Sequence, residues 1–149
     1  MNTSHLNHTP PVPAWHQILP LLLSISGPLV LYLFTIPRTV VLEDDGLFLM
    51  VAKHLGIAHP PGYPLFTGIA HLFLQFPFGT DAFRGHLASA FLGALACGVL
   101  FGGARLLGAS VWAALTGTWA FGASEHFWSQ AIIAEVYTLN ALLFFATYL

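Results

Sequence analysis

Long runs without a charged side chain dominate this sequence, and they restrict what it can fold into. A helix needs roughly 20 apolar residues to cross about 30 Å of hydrocarbon. The first charge is Arg38, so the stretch before it can span, with a helix expected over 18–36. A second uncharged run, 85–104, lies between Arg84 and Arg105. A third extends from Leu106 to Ser124, with a helix expected over 108–124. A fourth, 136–149, opens after Glu135 and holds 14 residues before Leu149. That is about 21 Å of helix, too short to cross. The expectation is an all-α integral membrane protein with about four transmembrane helices, the last incomplete, and hence a fragment or truncated product.

Composition agrees. The chain is 56% hydrophobic and 7% charged, whereas a soluble domain carries about a quarter charged residues. Net charge is −2, which leaves no basic patch for nucleic acid. Residues 1–15 are polar, with Pro10, Pro11 and Pro13, and read as a disordered lead. They lack the basic region and cleavage site of a secretory signal, so the first helix reads as an uncleaved anchor. Pro28 predicts a kink in it. The lone Cys97 excludes an internal disulfide and reads as packing or lipid-facing. Gly93, Ala94, Ala96, Gly98, Gly102, Gly103 and Ala104 favour close helix–helix packing.

The loop 37–84 changes character. Three of the six acids stand together at Glu43, Asp44 and Asp45. After them Leu47, Phe48, Val51 and Leu55 share one helical face, with Lys53 and His54 off it, which predicts a short amphipathic interfacial helix. An acid here has an ordinary structural reading as a helix cap. HPPGYP then breaks the chain, because Pro60, Pro61 and Pro64 oppose regular helix and Gly62 permits unusual dihedrals. The apolar run 65–76 is about 18 Å of helix, short for spanning, and reads as interfacial or re-entrant. On that reading two helices separate Asp44 from Glu135 and both acids lie on one side, although the positive-inside count weighs mildly against it.

These motifs resemble the first extracytoplasmic loop of GT-C superfamily glycosyltransferases, where an acid pair follows the first transmembrane helix and precedes an HPP-type turn. Protein O-mannosyltransferases carry a similar arrangement. The nearest likeness is a largely bacterial membrane family, first defined as a domain of unknown function and related to a eukaryotic transmembrane protein O-mannosyltransferase. It typically reads GDSGEL about fifteen residues before HPPGYPLF, and later AEVYxLN. This chain has Asp44-Asp45-Gly46, with His59 fifteen residues beyond Asp44, and WSQAIIAEVYTLNALLF from Trp128 to Phe145. Leu47 stands where the family has Glu, and Asp45 where it has Ser.

The resemblance implies a GT-C-like fold with interfacial juxtamembrane helices in a multi-pass protein of a bacterial inner membrane. It also implies a glycosyltransferase that moves a sugar, mannose by analogy, from a polyprenyl-phosphate-linked lipid to an extracytoplasmic acceptor such as protein Ser/Thr or a glycan. A carboxylate suits that chemistry, since it can take the acceptor hydroxyl's proton. The lipid phosphate leaves as a stable anion and is helped by nearby positive charge. Asp44 is then the candidate base with Asp45 as substitute. Lys53, His59, Tyr63 and Arg84 become candidates for the donor phosphate or sugar, against interfacial snorkelling or turn lining as their ordinary readings. Glu135 becomes an acceptor or support residue, or a helix cap. Trp128 and Tyr137 fit an aromatic belt.

No cofactor is certain. Eight histidines without HxxxH or CxxC spacing predict no histidine metal site, while a divalent ion at the acidic loop is compatible with the resemblance. A non-catalytic or truncated relative, and a component of a lipid or solute transporter, stay open. A piece ending at Leu149 is expected to be inactive by itself.

Overall fold

A computed structural model describes residues 15–42 and 44–149, with side chains from residue 18 onward; Glu43 and the expected disordered lead, apart from Trp15, lie outside the described residues. The described elements are all helical: α1 Trp15–Thr35, α2 Asp45–His54, α3 Pro64–Leu74, α4 Asp81–Leu106, α5 Val111–Gly122, α6 Glu125–Ala131 and α7 Tyr137–Ala146.

Among the described residues, two helices are long and apolar enough to cross a membrane, Ile18–Thr35 and Asp81–Leu106. Both match expected spans. The helix α4 runs further than the expected 85–104 because its charges sit at its ends. Asp81 lies in the first turn and Arg105 in the last, where each complements the helix dipole. Thr80 caps the start, its hydroxyl accepting from the Phe83 N–H at 3.1 Å.

The third expected span, 108–124, is a 12-residue helix, α5. Gly108, at φ +90°, separates it from α4. Ser110 caps it and accepts from the Ala113 N–H. At the far end Ser124 is extended, and the chain restarts as α6. The rule of counting uncharged residues cannot see such a break. The fourth run forms the 10-residue α7.

The long α4 is the hub, packed by α1, α5, α6 and α7 along its length and by α2 and α3 toward its start. Its small residues allow this. A methyl added at Gly93 would meet Ala131, Thr138 and Tyr32, and one at Gly98 would meet Ile25. Cys97 is buried, with its sulfur 4.0 Å from the Tyr32 hydroxyl. That hydroxyl donates to the Gly122 carbonyl at 2.8 Å and so ties α1 to the end of α5. Residues Pro20 and Pro28 lie within a continuous α1.

The helix α2 differs from its expected face. Phe48, Leu49, Val51 and Ala52 are buried and Leu55 is exposed, because α2 packs against both α3 and α4 and Leu55 is the left-handed residue that ends the helix. Its apolar side therefore closes a core with Phe66, Ala70 and Leu74 of α3 and with Leu92 and Leu139.

Candidate active site

The turns between helices bring the two acidic segments together at one end of the bundle. Asp45 is fully buried, at 0% exposure. Its Oδ1 accepts from the Ala134 N–H at 2.9 Å and lies 2.8 Å from His86 Nε2. Its Oδ2 accepts from the Val41 N–H at 2.9 Å. His86 in turn faces the Pro37 carbonyl through Nδ1 at 3.0 Å. Burial by itself raises the Asp45 carboxyl, but the His86 bond and the two backbone N–H groups outweigh it and hold the group below the usual carboxylate range. Both oxygens are engaged and no solvent reaches them. Asp45, expected as the substitute base, is thus placed in the frame of the site.

Asp44 sits at the N-cap position of α2, yet its side chain makes no capping bond. Oδ2 instead lies 3.0 Å from His59 Nε2, and the Asp44 side chain is 55% exposed. The ordinary reading of this acid as a cap is therefore not what the geometry shows. The Asp44 hydrogen bond, then the Pro60 carbonyl and the charges of Asp44 and Glu135, push the exposed His59 imidazole above its usual range.

The HPPGYP turn supplies the rest. Gly62 and Tyr63 take positive φ values of +92° and +45°, which reverse the chain so that Pro64 can open α3 at its first position. For a non-glycine residue that conformation is uncommon. Here the tyrosine ring is held edge-on by Phe48 at 5.6 Å and by His59 at 5.7 Å. Phe48, beneath, also meets the His59 ring at 6.0 Å. Tyr63 then opens onto a groove of about 390 Å³ between the starts of α3 and α7, lined by Leu65, Phe66, Val136, Leu139 and Leu143 with Asn140 and Tyr137.

Glu135 precedes that groove. Its backbone exchanges two bonds with Ser89, the N–H donating to Oγ at 3.2 Å and the hydroxyl donating to the carbonyl at 3.3 Å. It is buried, and its charge reaches His59. Asp44, His59 and Tyr63 thus converge, and the Glu135 charge adds to the upward push on the His59 imidazole.

Lys53 and Arg84 do not join them. Both pair with Asp81, Lys53 at 2.6 Å, and Arg84 also donates to the Phe76 carbonyl. Lys53 lies about 12 Å along α2 from Asp45 at 1.5 Å per residue. Both were expected as candidates for the donor phosphate or sugar, and Asp81 is the carboxylate each of them meets here.

His86 was missed as a site residue. The available signal was a polar ring within an apolar helix, which requires a partner. Trp128 donates through Nε1 to Thr35 Oγ1 at 2.9 Å, and Tyr137 is exposed at the groove. Among the described residues no three His, Cys, Asp or Glu side chains gather as metal ligands; His59 turns to Asp44, His86 to Asp45 and His71 to the Ala52 carbonyl at 2.8 Å.

Comparison with known proteins adds identity to this geometry. A family model described as the protein O-mannosyl-transferase TMEM260 N-terminal domain matches residues 44–149, beginning at Asp44. The mouse protein O-mannosyl-transferase TMEM260 is 39% identical over 112 residues, covering 74% of this chain and 16% of the mouse protein. The corresponding protein of Dictyostelium discoideum is 31% identical over 114 residues, covering 74% of this chain and 14% of its own length. The chain therefore spans about a sixth of the length of the relatives it matches. No solved structure matches it significantly.

Proposed function

Since the chain belongs to the family of the protein O-mannosyl-transferase TMEM260 N-terminal domain, we propose that it forms the base-bearing part of a multi-pass GT-C-type membrane glycosyltransferase. The reaction moves a sugar, mannose by the relatives' names, from a polyprenyl-phosphate donor to a hydroxyl on the non-cytoplasmic side, such as protein Ser/Thr. The observation that carries this reading is Asp44. It is an acid at a helix start that declines to cap the helix, stays open to solvent, and pairs with His59 beside an apolar groove.

The chemistry follows. The acceptor oxygen attacks the anomeric carbon as the bond from that carbon to the phosphate oxygen breaks. The hydroxyl proton passes to the Asp44 carboxylate, and the lipid phosphate departs with the bonding electrons. His59 orients Asp44 and, when protonated, places a positive charge where the leaving phosphate needs one. The groove offers apolar walls for the first carbons of the donor lipid, and Tyr63 and Asn140 offer polar atoms at its mouth. A transporter would instead hold its acids near mid-bundle. Here Asp44 precedes α2 while Glu135 sits between α6 and α7, at the end where α4 begins, which favours the transferase.

The test uses the full product of the gene in native membranes or nanodiscs, with a radiolabelled polyprenyl-phosphate mannose and a Ser/Thr-rich peptide, and the transfer assays below use that same product. Asp44→Asn is expected to lower kcat by about 10²- to 10⁴-fold, the range for losing a positioned base. Unchanged turnover in a folded Asp44→Asn protein would end the base assignment.

A further inference from the structure

We propose that the buried His86–Asp45 pair, with Ser89 one turn further along α4, is a positioning device that fixes the segment carrying Asp44, the partner of His59, to the segment carrying Glu135. The inference rests on the reading above for its purpose and on geometry for its substance.

Three chain segments that are remote in sequence meet at Asp45. They are the α1–α2 connection through the Val41 N–H, the α6–α7 connection through the Ala134 N–H, and α4 through His86. His86 closes the ring by reaching the Pro37 carbonyl. That carbonyl can only accept, so Nδ1 carries a proton, and the His86–Asp45 bond then holds a second proton between Nε2 and Oδ1. Both side chains of the pair are buried, at 0% exposure. A buried polar network of this kind is costly when half-made and specifies one arrangement when complete.

The consequence lies one residue away on each side. Asp44 is the neighbour of Asp45, and Glu135 the neighbour of Ala134. Asp45 binds the Ala134 N–H directly, so the two segments that carry Asp44 and Glu135 are joined by a single hydrogen bond. Ser89, three residues along α4 from His86 and so on the same face, pins the Glu135 backbone from the other side. The groups against His59 are Asp44 from the start of α2, at 3.0 Å, and the Tyr63 ring from the start of α3, and the Glu135 charge on the α6–α7 connection adds to the upward push on the imidazole. Neither carboxylate needs its own rigid element, because α4 holds both.

His59 reports on this arrangement without any need for turnover. Its titration, followed by NMR on the ¹³C-histidine-labelled chain in nanodiscs and assigned with His59→Gln, is expected above the ordinary imidazole value of about 6.5. His86→Asn keeps a donor for Pro37 but cannot reach Asp45, and it should bring the His59 titration down toward that value, as should Asp45→Asn. His86→Gln keeps a donor for Asp45 and should leave it near wild type. Transfer by the protein should follow the same order, with kcat at least about tenfold lower in His86→Asn and KM for acceptor within twofold.

A His59 titration unchanged in folded His86→Asn and Asp45→Asn overturns the proposal. Should those variants not fold, Ser89→Ala carries the test: a partial fall is expected, and no change overturns the proposal. A wild-type protein that transfers no sugar, while His59 still responds to His86→Asn, would sink the transferase reading and leave the positioning device standing.

Discussion

Phe48 is the floor of the site, and its removal should be felt twice. The ring is 2% exposed and meets Phe66 at 5.5 Å, Tyr63 at 5.6 Å and His59 at 6.0 Å, all edge-on. Truncating a buried phenylalanine to alanine costs about 3–5 kcal/mol, the spread reflecting how far the hole collapses. Here three aromatic rings wall the hole. Tyr63 cannot swing inward freely, because its left-handed backbone (φ +45°) is fixed by the turn before Pro64. Collapse is therefore poor, and the upper half of the range, about 4–5 kcal/mol, is expected for Phe48→Ala. Phe48→Leu keeps most of the volume and should cost about 1–1.5 kcal/mol. It also removes the edge that steadies His59 and Tyr63. Unfolding in mixed micelles with rising SDS measures the first effect, and mannosyl transfer by the folded Phe48→Leu protein measures the second. A loss below about 1 kcal/mol in Phe48→Ala would refute the claim that this ring closes the core beneath the site.

Three further outcomes are expected. Lys53→Ala should change stability by less than about 1 kcal/mol, since its pair with Asp81 has both side chains well exposed, and it should alter transfer little; a loss of transfer comparable to that of Asp44→Asn would return Lys53 to the site. Gly93→Leu should cost about 3 kcal/mol by the same unfolding assay, because even a methyl there would lie 3.2 Å from Ala131 Cβ and 3.3 Å from Thr138 Cγ2, so neutrality would refute the close packing of α4 on α6 and α7. The pH dependence should have two opposite signs. Asp45 titrates below its unfolded value, so its stabilisation is present above about pH 3.9 and lost as pH falls through the folded value. His59 titrates above its unfolded value, so the Asp44–His59 bond contributes fully below about pH 6.5 and fades as pH rises through the folded value. Thermal melts of Asp45→Asn and Asp44→Asn against wild type from pH 3 to 9 separate the two.

How far the residues alone foretold this arrangement depends on the range of the interaction that decides each feature. Span length is decided locally, and the uncharged runs before Arg38 and before Arg105 did become the two long helices. The HPPGYP break is local too, since three prolines and a glycine remove helix from that stretch whatever surrounds it. The end of α5 is also local, but its signal is a cap, Ser124 before Glu125, rather than a charge, so a count of apolar residues passed over it. The pairing of charges is where the sequence stops speaking. Nothing in the spacing of Lys53 and Arg84 announces that the fold pairs both with Asp81, 28 and 3 residues away. Asp44 and Asp45 are neighbours with the same side chain, and helical geometry sends one outward to His59 and the other inward to His86, 41 residues away. No periodicity within the acidic loop distinguishes them. What does is the partner: a histidine set among Gly85, Ala88 and Ser89 on a helix bound for the interior has to find a carboxylate or a carbonyl, and His86 finds one of each. In an apolar chain with six acids, a polar ring placed that way is a stronger guide to which acid is buried than anything in the acid's own surroundings.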